Sequence, residues 1–175
     1  MEGVLERPSV ARVRDALRAA GALGDVVVLS ETSRTAADAA AALGVEVGQI
    51  ASSLVFALPT GAPLLVITSG RHRVDTHRVT TALGVDALGR ADAAFVTRWS
   101  GFSIGGVSPL GWAPDGSGER DARGYPVELV ILIDEALAQY DALWAAGGHP
   151  HAVFPTTFDE LVRVTGARRV RVADE

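Results

Sequence analysis

Apolar residues recur along this chain at two spacings, and the changes of spacing mark out its elements. Val10, Val13, Leu17 and Ala20 follow Pro8-Ser9 at intervals of three and four, one face of a helix, and Gly21 stops the run. Residues 26–29 (Val-Val-Val-Leu) predict a short strand. Thr35 is placed to cap a second helix over 36–43, ended by Gly44. Residues 50–58 and 63–68 read as strands joined by the turn Pro59-Thr60-Gly61-Ala62, which predicts a hairpin. Asp75 or Thr76 caps a helix that reaches Leu83 before Gly84, and 91–99 is predicted helical. The continuous apolar run 127–133 predicts a buried central strand, followed by a short helix over 135–140. Residues 143–146 and 151–154 are strand pieces bent by Gly147-Gly148. Thr156 or Thr157 caps a last helix to Val164, and 170–172 closes as a strand.

Strands outnumber helices without regular βαβ alternation, which predicts a mixed, curled sheet more than a doubly wound one. The polar, glycine-rich segment 115–124 is expected to be an exposed connection. No repeat, linker or low-complexity tail divides the chain, so residues 1–175 are expected to form one domain.

Composition narrows the chemistry. No apolar run is long enough for a membrane span, and the first residues lack a basic-then-apolar signal pattern. Cysteine is absent, which removes thiolate chemistry and fits a cytoplasmic protein. All 16 basic residues are arginine, so Schiff-base chemistry on a lysine has no residue to use. A net charge of −5 argues against broad binding along a nucleic-acid backbone, though not against gripping one end of an RNA.

The densest functional signal is residues 99–112, WSGFSIGGVSPLGW, with four glycines and one proline in fourteen residues. Gly105-Gly106 lets main-chain N–H groups approach a ligand closely, and Pro109 fixes the exit of the loop. Such donors suit an anionic or carbonyl oxygen, while a tight structural turn is the alternative reading.

Gly105-x-x-x-Pro109 resembles the GxxxP loop of the YbaK/EbsC-type prolyl-tRNA editing domains, which are aminoacyl-tRNA deacylases. Residues 32–44 (TSRTAADAAAALG), 48–56 (GQIASSLVF) and 144–154 (WAAGGHPHAVF) with Glu160-Leu161 and Thr165-Gly166-Ala167 resemble further segments of that family in its order. Together they cover nearly the whole chain. The resemblance implies a compact α/β fold with a mixed, barrel-like sheet and surrounding helices. It also implies hydrolysis of the ester on a mischarged tRNA, with no cofactor and no protein nucleophile. The acceptor end of an aminoacyl-tRNA would be the substrate and prolyl-tRNA synthetase a candidate partner.

Carried over position by position, the resemblance assigns catalysis to Gly105, Gly106, Val107, Ser108, Pro109 and Ser52. It assigns substrate contact to Ser53, Ser69, Gly70, Arg34, His72, Gly101 and Phe102, and the far wall to Gly147, Gly148 and His149. Ser52 departs from the pattern, since the family places a lysine there; serine offers one neutral donor on a short stem. Three accounts stay open: an arginine such as Arg34 or Arg71 reaches the site, the enzyme is slow, or the domain binds without hydrolysing.

Other groups carry competing readings. Arg71-His72-Arg73 reads either as a contact for the tRNA end or as a solvated basic turn paired with Asp75. Trp112 reads as core or as a platform for a terminal base. Asp134-Glu135 reads as a cap at a strand-to-helix junction or as a carboxylate pair for acid–base work, and no metal site is expected at His149-Pro150-His151, which lacks a supporting carboxylate or cysteine pattern. A nucleotide P-loop is excluded for want of its lysine.

Overall fold

The computed structural model describes residues 3–30, 35–116 and 118–174. Arg34, one of the expected contact residues, lies outside them. Five α-helices among the described residues are α1 (Pro8–Ala19), α2 (Ala36–Leu43), α3 (Thr76–Leu83), α4 (Ala93–Ser100) and α5 (Phe158–Thr165). The strands are β1 (Val27–Val28), β2 (Ile50–Ala57), β3 (Pro63–Ser69), β4 (Gly89–Arg90), β5 (Val130–Asp134), β6 (Leu143–His149), β7 (Ala152–Thr156) and β8 (Arg168–Val170). They form one eight-stranded mixed sheet in the order β1-β7-β6-β2-β3-β5-β8, with β4 paired to β2. The sheet curls but does not close.

Caps account for the helix starts. Thr35 accepts from the Asp38 N–H, Asp75 from those of His77 and Arg78, Asp92 from Phe95, and Thr157 from Glu160. Gly44, Gly84, Gly101 and Gly166 end α2 to α5 in the left-handed conformation that glycine adopts without strain.

β2 and β3 form the expected hairpin, pairing from Ala51↔Ser69 to Ala57↔Pro63. All seven residues of β3 are buried, making it the strand covered on both faces. The apolar run at 127–133 enters the sheet late: β5 starts at Val130, while Val127 is 50% exposed in the approach. There its N–H bonds to Glu119, and Leu129 closes a turn onto Pro126. The last strand lies two residues earlier than the pattern predicts. β8 pairs with β5 only until Asp134 turns away, so Val172 is buried off the ladder and accepts from the Asp75 N–H. His151 sits in the β6–β7 turn, and the strand it was expected to open runs instead over Ala152–Thr156.

The main core unites α1 (Val10, Val13, Leu17), α5 (Phe158, Leu161) and the sheet around Phe102, Trp112 and Phe154. Trp112 is 4% exposed, its indole N–H donating to the Ser108 carbonyl at 2.8 Å, which removes it from any base-stacking role.

Candidate active site

A break in the sheet makes the site. β2 and β6 run parallel but pair only at Ile50↔Trp144 and Ala51↔Ala145. Beyond that point β6 diverges, leaving one edge of Ser52 to Val55 without a neighbouring strand there. Every second residue of a strand turns its N–H and C=O to a given edge, so main-chain donors and acceptors face this gap. A cavity of about 500 Å³ fills it. Six successive β2 residues, Ile50 to Val55, contribute to its wall because both faces and the edge are open to it.

α2 closes one side with Thr35, Ala36 and Ala39; β6 and β7 supply Trp144, Ala145, Ala146 and Val153. The glycine loop supplies Ile104, Gly105 and Val107, and the β6–β7 turn supplies His149 and Pro150. Among the described residues the polar side chains in this wall are Thr35, Ser52, Ser53 and His149, none of them an acid or a permanently charged base. Such a lining suits a small, uncharged, largely apolar group.

The loop is anchored from below and open above. Arg12 of α1 donates from Nε to the Gly111 carbonyl (3.1 Å) and from Nη2 to the Gly101 carbonyl (2.7 Å), gripping both ends. Its guanidinium also lies 5.1 Å from the Phe102 ring centre. Tyr125 donates its hydroxyl to the Pro109 carbonyl, and burial holds that hydroxyl well above its ordinary pKa, so it remains a neutral donor. Gly105 has φ +94°, and a Cβ there would meet only Pro150 Cγ at 4.0 Å. Gly106 is packed: a Cβ would stand 3.1 Å from His149 Cα, and its N–H donates to the Ser103 carbonyl at 3.0 Å. Among the described residues the N–H groups of Gly105 and Val107 have no acceptor.

The structure thus brings Ser52, Ser53, Gly105, Val107 and His149 to one cavity and places the other expected residues that it describes elsewhere. Ser108 is fully buried, its Oγ accepting from the Leu110 N–H. Gly101 is the αL end of α4 and Phe102 is core. Gly147 packs on Val26 and Gly148 on Ser9, whose Oγ donates to the Gly148 carbonyl, so Ala146, His149 and Pro150 form the wall they were expected to form. Ser69 is buried and donates to the Gly48 carbonyl at 2.8 Å; Gly70 packs on Val47 and Ala36. His72 Nδ1 lies 2.8 Å from Asp134 Oδ2, outside the cavity. Asp134 caps, accepting from the Ala136 N–H, and also accepts from the Ser69 N–H.

Two polar groups in the cavity stand out. Ser53 Oγ is buried and has no hydrogen-bond partner among the described residues. His149 accepts the His151 N–H at Nδ1 (3.1 Å), so the neutral ring carries its proton on Nε2. Burial, then the neighbouring His151 and Arg7, pull its pKa below the ordinary value and keep that ring neutral. The two imidazoles stack at 5.4 Å. Ser53 carried a weak signal in the sequence, the second hydroxyl after an alanine in a strand. The main-chain edge of β2 carried none, since pairing partners are not written in a strand's own residues.

A family model for the aminoacyl-tRNA editing domain matches residues 30–164, which include α2, β2, the glycine loop and the β6–β7 turn. The chain belongs to that family. A solved structure described as a candidate trans-editing enzyme for prolyl tRNA synthetase is 38% identical, with a TM-score of 0.81 over 96% of this chain and 98% of that one. A structure from work on epitope backbone grafting onto scaffold proteins is 37% identical (TM-score 0.83; 97% and 99% covered). A hypothetical protein is 25% identical (TM-score 0.79; 93% and 99% covered). No curated protein matches this member of the editing-domain family. No helix among the described residues is long and apolar enough to cross a membrane.

Proposed function

We propose that this editing domain hydrolyses the ester joining a small, uncharged amino acid to the terminal ribose of a mischarged tRNA of the prolyl class. Water adds to the acyl carbon, the acyl–oxygen bond breaks, and the products are a carboxylate and a ribose hydroxyl. The observation that carries this reading is the meeting of Gly105 and Val107 of the GxxxP loop with Ser52, Ser53 and His149 around one cavity. The apolar walls take the amino-acid side chain. The Gly105 and Val107 N–H groups and the His149 Nε2–H are the donors available to the developing oxyanion. Ser53 Oγ, buried without a partner, is available to the α-amino group or the attacking water. The association of the 38%-identical structure with prolyl tRNA synthetase supports the choice of tRNA.

Purified protein incubated with alanyl- and cysteinyl-tRNA of the prolyl class is expected to release the amino acid above the buffer rate. Gly105→Leu should abolish release, because φ +94° strains any side-chain-bearing residue and the branch fills the mouth. Absence of hydrolysis by the wild-type chain at micromolar protein removes the proposal.

A second reading, a module that binds the acylated end without turning it over, is favoured by Ser52. The chain has no lysine at all, and none can project a charge from this strand into the gap. Removing one transition-state donor costs on the order of 3 kcal/mol, about a hundredfold in rate. Ser52→Lys discriminates: a rate gain of that order supports the weakened site, and an unchanged rate supports a catalytic set that works without lysine.

A further inference from the structure

A second hollow, of about 420 Å³, lies where β3, β5 and β8 end. Arg71 enters it from the turn after β3, and Arg169 and Arg171 from the final strand and its continuation. Arg169 and Arg171 are two residues apart, the spacing that puts side chains on one side of an extended chain. All three arginines are exposed, in a protein whose net charge is −5. Of the two carboxylates in the lining, Asp134 is 1% exposed and already accepts from Ser69, Ala136 and Thr68 besides facing His72. Glu135 is the exposed one. Arg169 lies over the Phe158 ring at 4.8 Å, which limits its freedom before any ligand arrives.

The hollow adjoins the cavity across a single residue. Gly70, which precedes Arg71, is so close to α2 and β2 that a Cβ would stand 2.7 Å from Ala36 Cβ and 3.3 Å from Ile50 Cβ. Ala36 and Ile50 are cavity wall. A polyanion whose end lies in the cavity therefore has a set of planar, bidentate donors at the same end of the sheet.

We infer that the Arg71–Arg169–Arg171 hollow binds backbone phosphates of the RNA strand whose acylated end occupies the cavity, an inference that rests on the proposed function for the cavity itself. Guanidinium forks match phosphate oxygens two at a time. Among the described residues the lining has no Phe, Tyr or Trp, and its one ring, His72, faces Asp134 at 2.8 Å, so the hollow is built to grip the backbone more than to stack on bases. A few local contacts reconcile RNA binding with the acidic whole.

The test is binding of uncharged prolyl-class tRNA, followed by fluorescence anisotropy across a salt series, for the wild-type chain and Arg169→Gln/Arg171→Gln. The double variant is expected to bind at least tenfold more weakly at low salt, with the slope of log K against log salt reduced by about 1 to 2. Unchanged affinity and slope, or no tRNA binding by the wild type, overturn the inference. So does displacement of the tRNA by a few millimolar inorganic phosphate, which marks a small-anion site. If loss of the Phe158 contact unfolds the double variant, Arg171→Glu alone decides, with a weakening expected to exceed that of Arg171→Gln. Hydrolysis of an aminoacyl-adenosine, which has no backbone phosphate, tests the cavity separately. Its failure removes the hydrolase reading, while the salt series still judges the hollow.

Discussion

His149 has its hydrogen-bonding role fixed by a neighbour two residues away. The His151 N–H occupies Nδ1, so protonating that nitrogen would set two N–H groups against each other with their nitrogens 3.1 Å apart. Burial and the adjacent His151 and Arg7 work in the same direction. A histidine whose folded pKa lies below its unfolded value favours the neutral form. Its contribution to stability is therefore complete above the unfolded pKa and is lost as pH falls towards the folded one. We expect an NMR titration of the His149 ring to give a midpoint below the ordinary 6.5, and any ester hydrolysis to decline over that acidic range. His149→Gln should remove that limb; a midpoint at or above 6.5 contradicts the assigned tautomer. The role of this residue was half legible. The sequence put His149 near the substrate but did not show that the β6–β7 turn stacks its ring on His151.

The glycine loop depends on α1, an element far from it in the chain. Arg12 reaches across to bond the carbonyls of Gly101 and Gly111, the two ends of the segment that presents Gly105 and Val107. Arg12→Ala leaves both half-buried carbonyls without these donors, and we expect a loss of about 1–3 kcal/mol in urea unfolding. Hydrolysis should fall further than the stability change alone explains, because the loop would no longer be held at its distance from β2. Arg12→Lys should recover less than half of the loss, since one ammonium cannot span both carbonyls. An equal loss of stability in Arg12→Ala with full activity would separate the clamp from the site. The loop's existence was plain from its glycines, as was the cap at Thr35, and the pattern narrowed two others to Asp75 or Thr76 and to Thr156 or Thr157. Its anchor was not, because a long-range donor on a helix looks like any other surface arginine.

Across the whole molecule, the sheet is clasped at one end by a buried acid. Asp134 accepts from Ser69 and Thr68 at the end of β3, faces His72, and caps the turn that follows β5. Asp134→Asn exchanges one acceptor oxygen for a donor opposite existing donors, and is expected to cost about 2–4 kcal/mol by urea or thermal unfolding. A cost under 0.5 kcal/mol would show that the clasp is dispensable. The fold class, the hairpin, the helices and the acidic cap could all be read from spacing and end signals. The strand boundaries at Val130 and Arg168 could not, because they are set by where a partner begins and ends. For the same reason the gap between β2 and β6 was invisible: the resemblance singled out Ser52 and Ser53, but the strand pattern of Ser52 to Val55 does not show whether a partner strand lies beside it.

That gap bears on how this protein can change over generations. Recognition that leans on peptide groups belongs to no particular codon, so on the proposed reading most point mutations at the wall alter which acyl group fits and leave those groups in place, with Gly105, whose φ of +94° suits glycine alone, the exception. The open edge of β2 itself is not lost to such changes, and closing it takes an insertion or deletion that lets β6 zip onto β2.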